Sequence, residues 1–359
     1  MSSPTLQPDQ TGFYTQTRAA KKILVVDLGF LGDTLHLVPA LWEIKRHYPQ
    51  SALHVLTSPL GAEVLRLAPC ADRAWAIELY PGKRTLRQQW TIVRSLRRER
   101  FDLAFNFSGA DRTIFMTALA GARWKMAHAA GRQHFWSGWL LPNWVPRRST
   151  EMPVYEQRRA VLAACGFELA PARFDLSVPE DATRWAAAHI PEGAIHVSVN
   201  ASTFLKEWPL PNWIDLTRRL LQRNPQIQLI ATGSADPRER TRLGDLAASV
   251  SQPRLQTFVG LTVAQLAALL ARCSRHLGAD SGVLHLAAAL GVPTVSIFRE
   301  YPGLIEWMPR GPQHQHLTAP CACATEVRDS CRSRQIAECL AELSPNSVLA
   351  MLSSGPTSS

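Results

Sequence analysis

Short apolar runs alternate with longer stretches of helical period along most of the chain. Residues 21–28 predict a buried parallel strand, 29–33 a glycine turn, and 34–48 a helix with Leu35, Val38, Leu41 and Trp42 at helical spacing. Strands are predicted at 52–56, 74–79 and 101–107, a helix at 86–98, and a turn at 108–112 leading into a helix that ends at Leu119. The pattern loosens over 123–148. Residues 176–194 predict a linker leading to a helix around 182–188, after which 195–200 opens a second alternating series, with a strand at 226–231 and a helix at 263–271. Residues 277–298 give a short strand, a tight turn, a helix opening at Gly282, a stop at Gly291 and Pro293, and a final apolar strand. This alternation predicts an α/β fold of mostly parallel sheets covered by helices on both faces. The expected divisions are a flexible start at 1–20, a first domain at 21–175, the linker at 176–194, a second domain at 195–340, and a last helix and tail at 341–359.

In such sheets, ligands sit at the carboxyl ends of the strands. Asp280, Ser281 and Gly282 occupy one such end, with His285 one turn into the helix that follows. A turn of this kind aims free N–H groups and the positive end of a helix at an anion such as phosphate, although Ser281 equally fits a plain helix cap. Asn106, Ser108, Asp111 and Arg112 lie at another strand end and are candidates for an acceptor site. The first turn suggests a dinucleotide fingerprint but lacks G-x-G-x-x-G spacing, and no acidic residue ends the 52–56 strand, which disfavours a nicotinamide enzyme. Residues 278–282 also lack the G-x-S-x-G spacing of a serine hydrolase.

The formal charge of +10 changes the picture of partners, because it is uneven. Residues 1–175 carry 23 Lys and Arg against 14 Asp and Glu, whereas 176–359 carry 16 against 15. A basic first half suggests an anionic partner: an acidic membrane face, a phosphorylated glycolipid or nucleic acid. Trp and Arg are interleaved over 123–148, with Lys125, His128, Arg132, His134, Trp136, Trp139, Trp144, Arg147 and Arg148. They fit nucleic acid or a sugar-phosphate at an interface, and the lack of a recognisable nucleic-acid module favours the second. Arg94, Arg97, Arg98 and Arg100 fit the solvated end of a helix. The polar first twenty residues carry no secretory signal, and a cytoplasmic protein in peripheral contact with the inner membrane face is expected. Four of the seven cysteines cluster at Cys321, Cys323, Cys331 and Cys339 in a spacing unlike paired zinc ligands; free thiols are expected, with zinc or iron left open and no ligand assigned. No Asp-x-Asp motif supplies a metal site, and no cofactor is expected.

The run from Asp280 to Val295 resembles, without a gap, the Asp-Ser/Thr-Gly-x-x-His-Leu-Ala-Ala-Ala-Leu-Gly-x-Pro-Thr-Val stretch of glycosyltransferase family 9, the lipopolysaccharide heptosyltransferases. Gly32-Asp33 with Pro39-Ala40-Leu41, and Lys206-Glu207-Trp208-Pro209, are similar to two further motifs of that family. The resemblance implies a GT-B fold of two facing Rossmann-like domains and an inverting, metal-independent transfer from a nucleotide sugar, ADP-heptose, to an anionic glycolipid or a protein acceptor. It casts Asp33 as general base, though the residue equally fits a helix cap, with Gly32 bordering the acceptor. Lys206, Ser202, Thr203 and the start of the Gly282 helix would stabilise the departing diphosphate, and Gly233, Ser234 and Asp236 would meet the nucleoside. The chain departs from the family at Asp27, Gly29 and Phe30, and at Arg299-Glu300-Tyr301-Pro302, where a Gly- or Ser/Thr-bearing turn is expected near the donor sugar.

Overall fold

The computed structural model describes residues 12–78, 85–129, 140–141, 143–146, 151–323 and 328–353. Residues 1–11, Leu79, Arg132, His134, Trp136, Trp139, the Trp144 side chain, Arg147, Arg148 and 354–359 lie outside them. The chain divides into two compact units, Met1–Ser177 and Val178–Ser359.

The first unit is built on a six-stranded sheet ordered β3-β2-β1-β4-β5-β6. Its strands are β1 (Lys22–Val26), β2 (Ala52–Thr57), β3 (Arg73–Ala76), β4 (Leu103–Asn106), β5 (Trp124–Ala129) and β6 (Asn143–Pro146). Neighbouring strands run parallel throughout. The β1 sequence explains its central place. Ile23 and Val25 pack into one core with Leu37, Leu41 and Phe105, while Leu24 and Val26 pack into another with Leu56, Leu96 and Ala104. A strand apolar on both faces needs a helix layer over each.

Two features of this unit correct the sequence reading. Residues 12–17, assigned to a flexible start, form a helix (Gly12–Thr17) whose Phe13 is buried and packs edge-on against Phe105 and Trp124. Trp124 and Lys125, within the loosened 123–148 segment, belong to β5, and β6 follows in the same sheet.

The second unit repeats the topology as β9-β8-β7-β10-β11-β12. Its strands are β7 (Ile195–Ser198), β8 (Leu229–Gly233), β9 (Leu255–Val259), β10 (Arg275–Ala279), β11 (Thr294–Arg299) and β12 (His314–Ala319), again all parallel. The helix Leu210–Arg223 buries Trp213, Leu216, Thr217, Leu220 and Leu221, the single stripe that a 3.6-residue period presents to a sheet. The helix expected around 182–188 runs Glu180–His189 and belongs to this unit, with Trp185 edge-on to Phe258. The final helix, Pro345–Ser353, buries Val348 and Leu349 in the core.

One face of this sheet is polar at its centre. His196 of β7 and His276 of β10 are register partners, fully buried and stacked 5.0 Å apart, with Nδ1 facing Nδ1 at 2.8 Å. Burial pushes His196 down to about 3, and burial and the neighbouring imidazoles hold His276 well below the ordinary range. Both rings are therefore neutral, since two protonated rings could not share that contact.

Candidate active site

In each unit the strand order reverses between two neighbours, β1/β4 and β7/β10, so the loops leaving those strands diverge and open a crevice at the carboxyl edge. In the second unit these are the β7 loop carrying Lys206 and the β10 turn carrying Asp280. The fold brings them together: Lys206 Nζ lies 2.8 Å from Asp280 Oδ2. The Tyr301 hydroxyl, from the loop after β11, donates to the same oxygen at 3.1 Å, and His285 Nε2 lies 4.0 Å from Oδ1. Burial and the Asp280 charge push the Tyr301 phenol far above its ordinary range, so it remains a donor.

Around this junction lies a cavity of about 270 Å³, lined by Thr203, Leu205, Lys206, Asp280, Arg299, Tyr301 and Trp307. Ser281 is the N-cap residue of the Gly282–Ala289 helix, yet its hydroxyl makes no cap hydrogen bond and, although buried, has no partner among the described residues. A buried hydroxyl left spare in this way suits a water or a ligand oxygen. His285 is buried one turn further on, its ring 5.7 Å from that of Trp307.

The β7 loop is held from beneath by a buried acid. Glu207 Oε1 accepts from the Ala201 N–H at 3.2 Å and lies 2.8 Å from Arg238 Nη1. Arg238 also donates to the Ala201 carbonyl, and Arg242 donates to Asn200 Oδ1 and the Val199 carbonyl. Trp208, fully buried, donates from its indole to the Leu343 carbonyl. The loop thus presents Lys206 from two fixed ends.

Of the predicted donor residues, Thr203, Lys206 and Asp280 line this cavity, and Ser281, Gly282 and His285 belong to the turn and helix that follow Asp280. Ser202 is exposed and outside the lining. Gly233, Ser234 and Asp236 are also outside it. The Asp236 carboxylate caps the Pro237–Val250 helix through the Arg238 and Glu239 N–H groups, and Ser234 Oγ accepts from the Asp236 N–H. Ser234 Oγ and Asp236 Oδ1 thus hold the turn. Sequence reasoning missed Tyr301, Arg299 and Trp307 as lining residues. The only signal was that 299–302 departs from the family pattern.

In the first unit, Asp33 sits in the first turn of the Leu31–His47 helix, after β1. Its Oδ2 accepts from the Phe30 N–H at 2.9 Å, so the cap reading holds for one oxygen; among the described residues Oδ1 has no hydrogen-bond partner. A Cβ on Gly29 would lie 2.2 Å from the Asp33 Cβ, so glycine is required there for Asp33 to keep its place. Arg158, from the Val154–Ala164 helix, donates to the Asp33 carbonyl and pairs with Asp27 Oδ2 at 2.6 Å, a charge contact without hydrogen-bond alignment. Burial raises Asp27 to about 6; Arg158 opposes that rise and the Asp33 charge adds to it.

The other acceptor candidates divide. Asn106 is buried, donating to Thr117 Oγ1 and accepting from the Ser108 and Gly109 N–H groups. It shapes the turn. Gly32 is buried in the helix start, Ser108 and Asp111 remain at the strand edge, and Arg112 donates to the Glu78 carbonyl at 2.7 Å.

Two 3-2-1-4-5-6 parallel sheets, with an anion-ready turn at the switch point of the second, are the architecture of the GT-B class. Solved structures of the same fold include an Escherichia coli ADP-heptose lipopolysaccharide heptosyltransferase II (TM-score 0.73, 18% identity, covering 92% of this chain and 97% of that one). A family 9 glycosyltransferase of Veillonella parvula matches similarly (TM-score 0.75, 16% identity, 93% and 96%). The sequence profile of glycosyltransferase family 9 (heptosyltransferase) matches residues 89–337, and the chain belongs to that family. It is 28% identical to lipopolysaccharide heptosyltransferase 1 of Pseudomonas aeruginosa over 327 residues, covering 84% of this chain and 85% of that one. The lipopolysaccharide core heptosyltransferase OpsX of Haemophilus influenzae is 22% identical, covering 79% and 80%.

Proposed function

We propose that the chain transfers heptose from ADP-heptose, with inversion, to a hydroxyl of a phosphorylated glycolipid of the lipopolysaccharide inner core. The observation that carries this reading is the Lys206–Asp280 junction beside the unpartnered Ser281 hydroxyl. Asp280 holds the ammonium in place before substrate arrives. A diphosphate entering the cavity would draw Lys206 toward it and accept from Ser281 and the first N–H groups of the helix, so that positive charge awaits the leaving group. Asp33 Oδ1 would take the proton of the acceptor hydroxyl as the hydroxyl oxygen attacks the anomeric carbon, and ADP would depart with the electron pair of the broken bond. Neighbouring structures described as an ADP-heptose lipopolysaccharide heptosyltransferase II and as heptosyltransferase WaaC with ADP support the nucleotide. No helix among the described residues is long and apolar enough to cross a membrane; the charge excess of the first half favours peripheral contact with an anionic lipid face.

Thermal shift against ADP, UDP and GDP tests the donor. ADP at 100 times its Kd should stabilise by about 2.7 kcal/mol. Equal responses to all three nucleotides would overturn the assignment, and salt-sensitive binding of nucleic acid with no response to any of them would favour the nucleic-acid alternative.

A further inference from the structure

A second cavity in the same unit shares a wall with the donor cavity. About 260 Å³ in volume, it is bordered by Cys321, Cys323, Cys331 and Cys339 and by Arg299, which also borders the donor cavity. Arg299 Nη1 lies 3.5 Å from Cys321 Sγ, and its guanidinium is 5.8 Å from the Tyr301 ring. The Cys339 thiol hydrogen-bonds the same sulfur. Burial disfavours a thiolate at Cys321, but the Cys323 backbone, the Cys339 thiol and Arg299 outweigh it and hold this thiol below its ordinary range. Burial and the adjacent Cys321 push Cys339 up to about 11. By contrast Cys70, Cys165 and Cys273 are buried and pushed up to about 12. Among the described residues no three His, Cys, Asp or Glu are placed to hold a metal ion together. What the geometry assembles is a pair, an attacking sulfur with a second thiol in reach.

We propose that Cys321 and Cys339 form a reversible disulfide whose formation releases Arg299 toward the donor diphosphate. The oxidant is a small-molecule disulfide such as oxidised glutathione. The Cys321 thiolate attacks one of its sulfurs and expels a thiolate, leaving a mixed disulfide; Cys339 loses its proton and displaces the second thiol from Cys321. Two protein thiols are oxidised, and one small disulfide is reduced to two thiols. Arg299 then faces a disulfide sulfur, a poorer acceptor than the Cys321 thiol or thiolate it contacts before, and its charge is freer to act on the donor cavity. This last step rests on the donor site proposed above; the thiol chemistry does not.

The test incubates the full chain with oxidised glutathione, counts and maps thiols by alkylation under denaturing acid quench, and titrates ADP by calorimetry before and after. A bridge between Cys321 and Cys339, reversed by dithiothreitol, is expected, with ADP binding tightened about twofold to fivefold. Cys321→Ser, kept reduced, should show the same tightening, because a neutral hydroxyl also frees Arg299. Cys339→Ser should retain a glutathione adduct on Cys321 and form no bridge. The proposal falls if the two thiols stay free or pair elsewhere, if a metal released by mercurial treatment shields all four, or if the bridged protein binds ADP unchanged. Failure of ADP to bind the reduced chain would overturn the Arg299 step and the donor reading while leaving the thiol count standing.

Discussion

Replacing Lys206 with alanine tests the centre of the reading. The Lys206 side chain is 35% exposed and Asp280 only 5%, with 2.8 Å between their charges. For folding, an ion pair with one partner this open to solvent contributes on the order of 1 kcal/mol or less, and the Tyr301 hydroxyl remains on the carboxylate. A loss of that size lowers Tm by about 2–4 °C in a domain of this length, so the variant folds. For catalysis the magnitude is different. Removing one preorganised group from a developing negative charge costs about 2.7–4 kcal/mol, a fall of about 10² to 10³ in kcat. The split between constants matters, because a cation that only bound the donor would raise KM and spare kcat. ADP release should be followed under saturating donor, with ADP affinity measured separately. If Lys206→Ala keeps kcat within about threefold of the parent while only KM rises, Lys206 is a binding residue and the leaving-group argument is wrong.

Three further outcomes follow from particular contacts. Asp33→Asn should lower kcat by about 10² to 10⁴ while ADP affinity stays unchanged, since the amide keeps the Phe30 cap but accepts no proton; retained turnover would remove Asp33 as the base. Gly29→Ala should mimic it, because the new methyl would stand 2.2 Å from the Asp33 Cβ, and a fully active variant would show that the loop yields without cost. Acid should destabilise the second unit: His196 and His276 titrate near 6.5 when unfolded but far lower when folded, so their stabilising contribution is complete above pH 6.5 and is lost as pH falls. Between pH 7 and pH 5 His196 alone should lose about 2 kcal/mol, and His276 acts in the same direction. Asp27, raised to about 6, works in the opposite direction in the first unit and gains about 1 kcal/mol over the same interval. Imidazole signals for His196 and His276 that titrate near 6.5 in the folded protein would refute this.

The fold was largely legible because its signal is local. A run such as Ile23-Leu24-Val25-Val26 must be covered on both faces, and the helices carry single apolar stripes, so the elements declare themselves. Strand β5 and the edge strand β6 were not legible: Trp-Lys-Met-Ala-His-Ala in β5 mixes polar and apolar side chains instead of forming the continuous apolar run of β1, and resembles an interfacial loop although it is paired on both sides. The strand, turn and helix around Asp280-Ser281-Gly282 and His285 were legible from the order of those residues. Tyr301 and Trp307 were not, because their place on the cavity depends on how the chain folds back after β11, which no spacing encodes. Asn106 and Asp236 have a role the sequence did not show: residue types that suit ligand binding also hold the turns on which they sit.

What separates scaffold from site is therefore not the presence of a charge pair but its access. Four buried acids each hold a cation: Asp27 with Arg158, Glu43 with Arg159, Glu207 with Arg238, and Asp280 with Lys206. Arg158 and Arg159 are 9% and 5% exposed and also bind backbone carbonyls, so moving either would leave an acid and a carbonyl buried without a partner. Arg238 is more exposed but is tied to the Ala201 carbonyl, and it borders no part of the donor cavity. Lys206 alone among the four combines a place on that cavity with a single flexible ammonium, which can turn from Asp280 to a diphosphate without leaving a backbone group unsatisfied. While Lys206 is turned away, Asp280 keeps the Tyr301 hydroxyl, and that residual hydrogen bond is what lets the cation move.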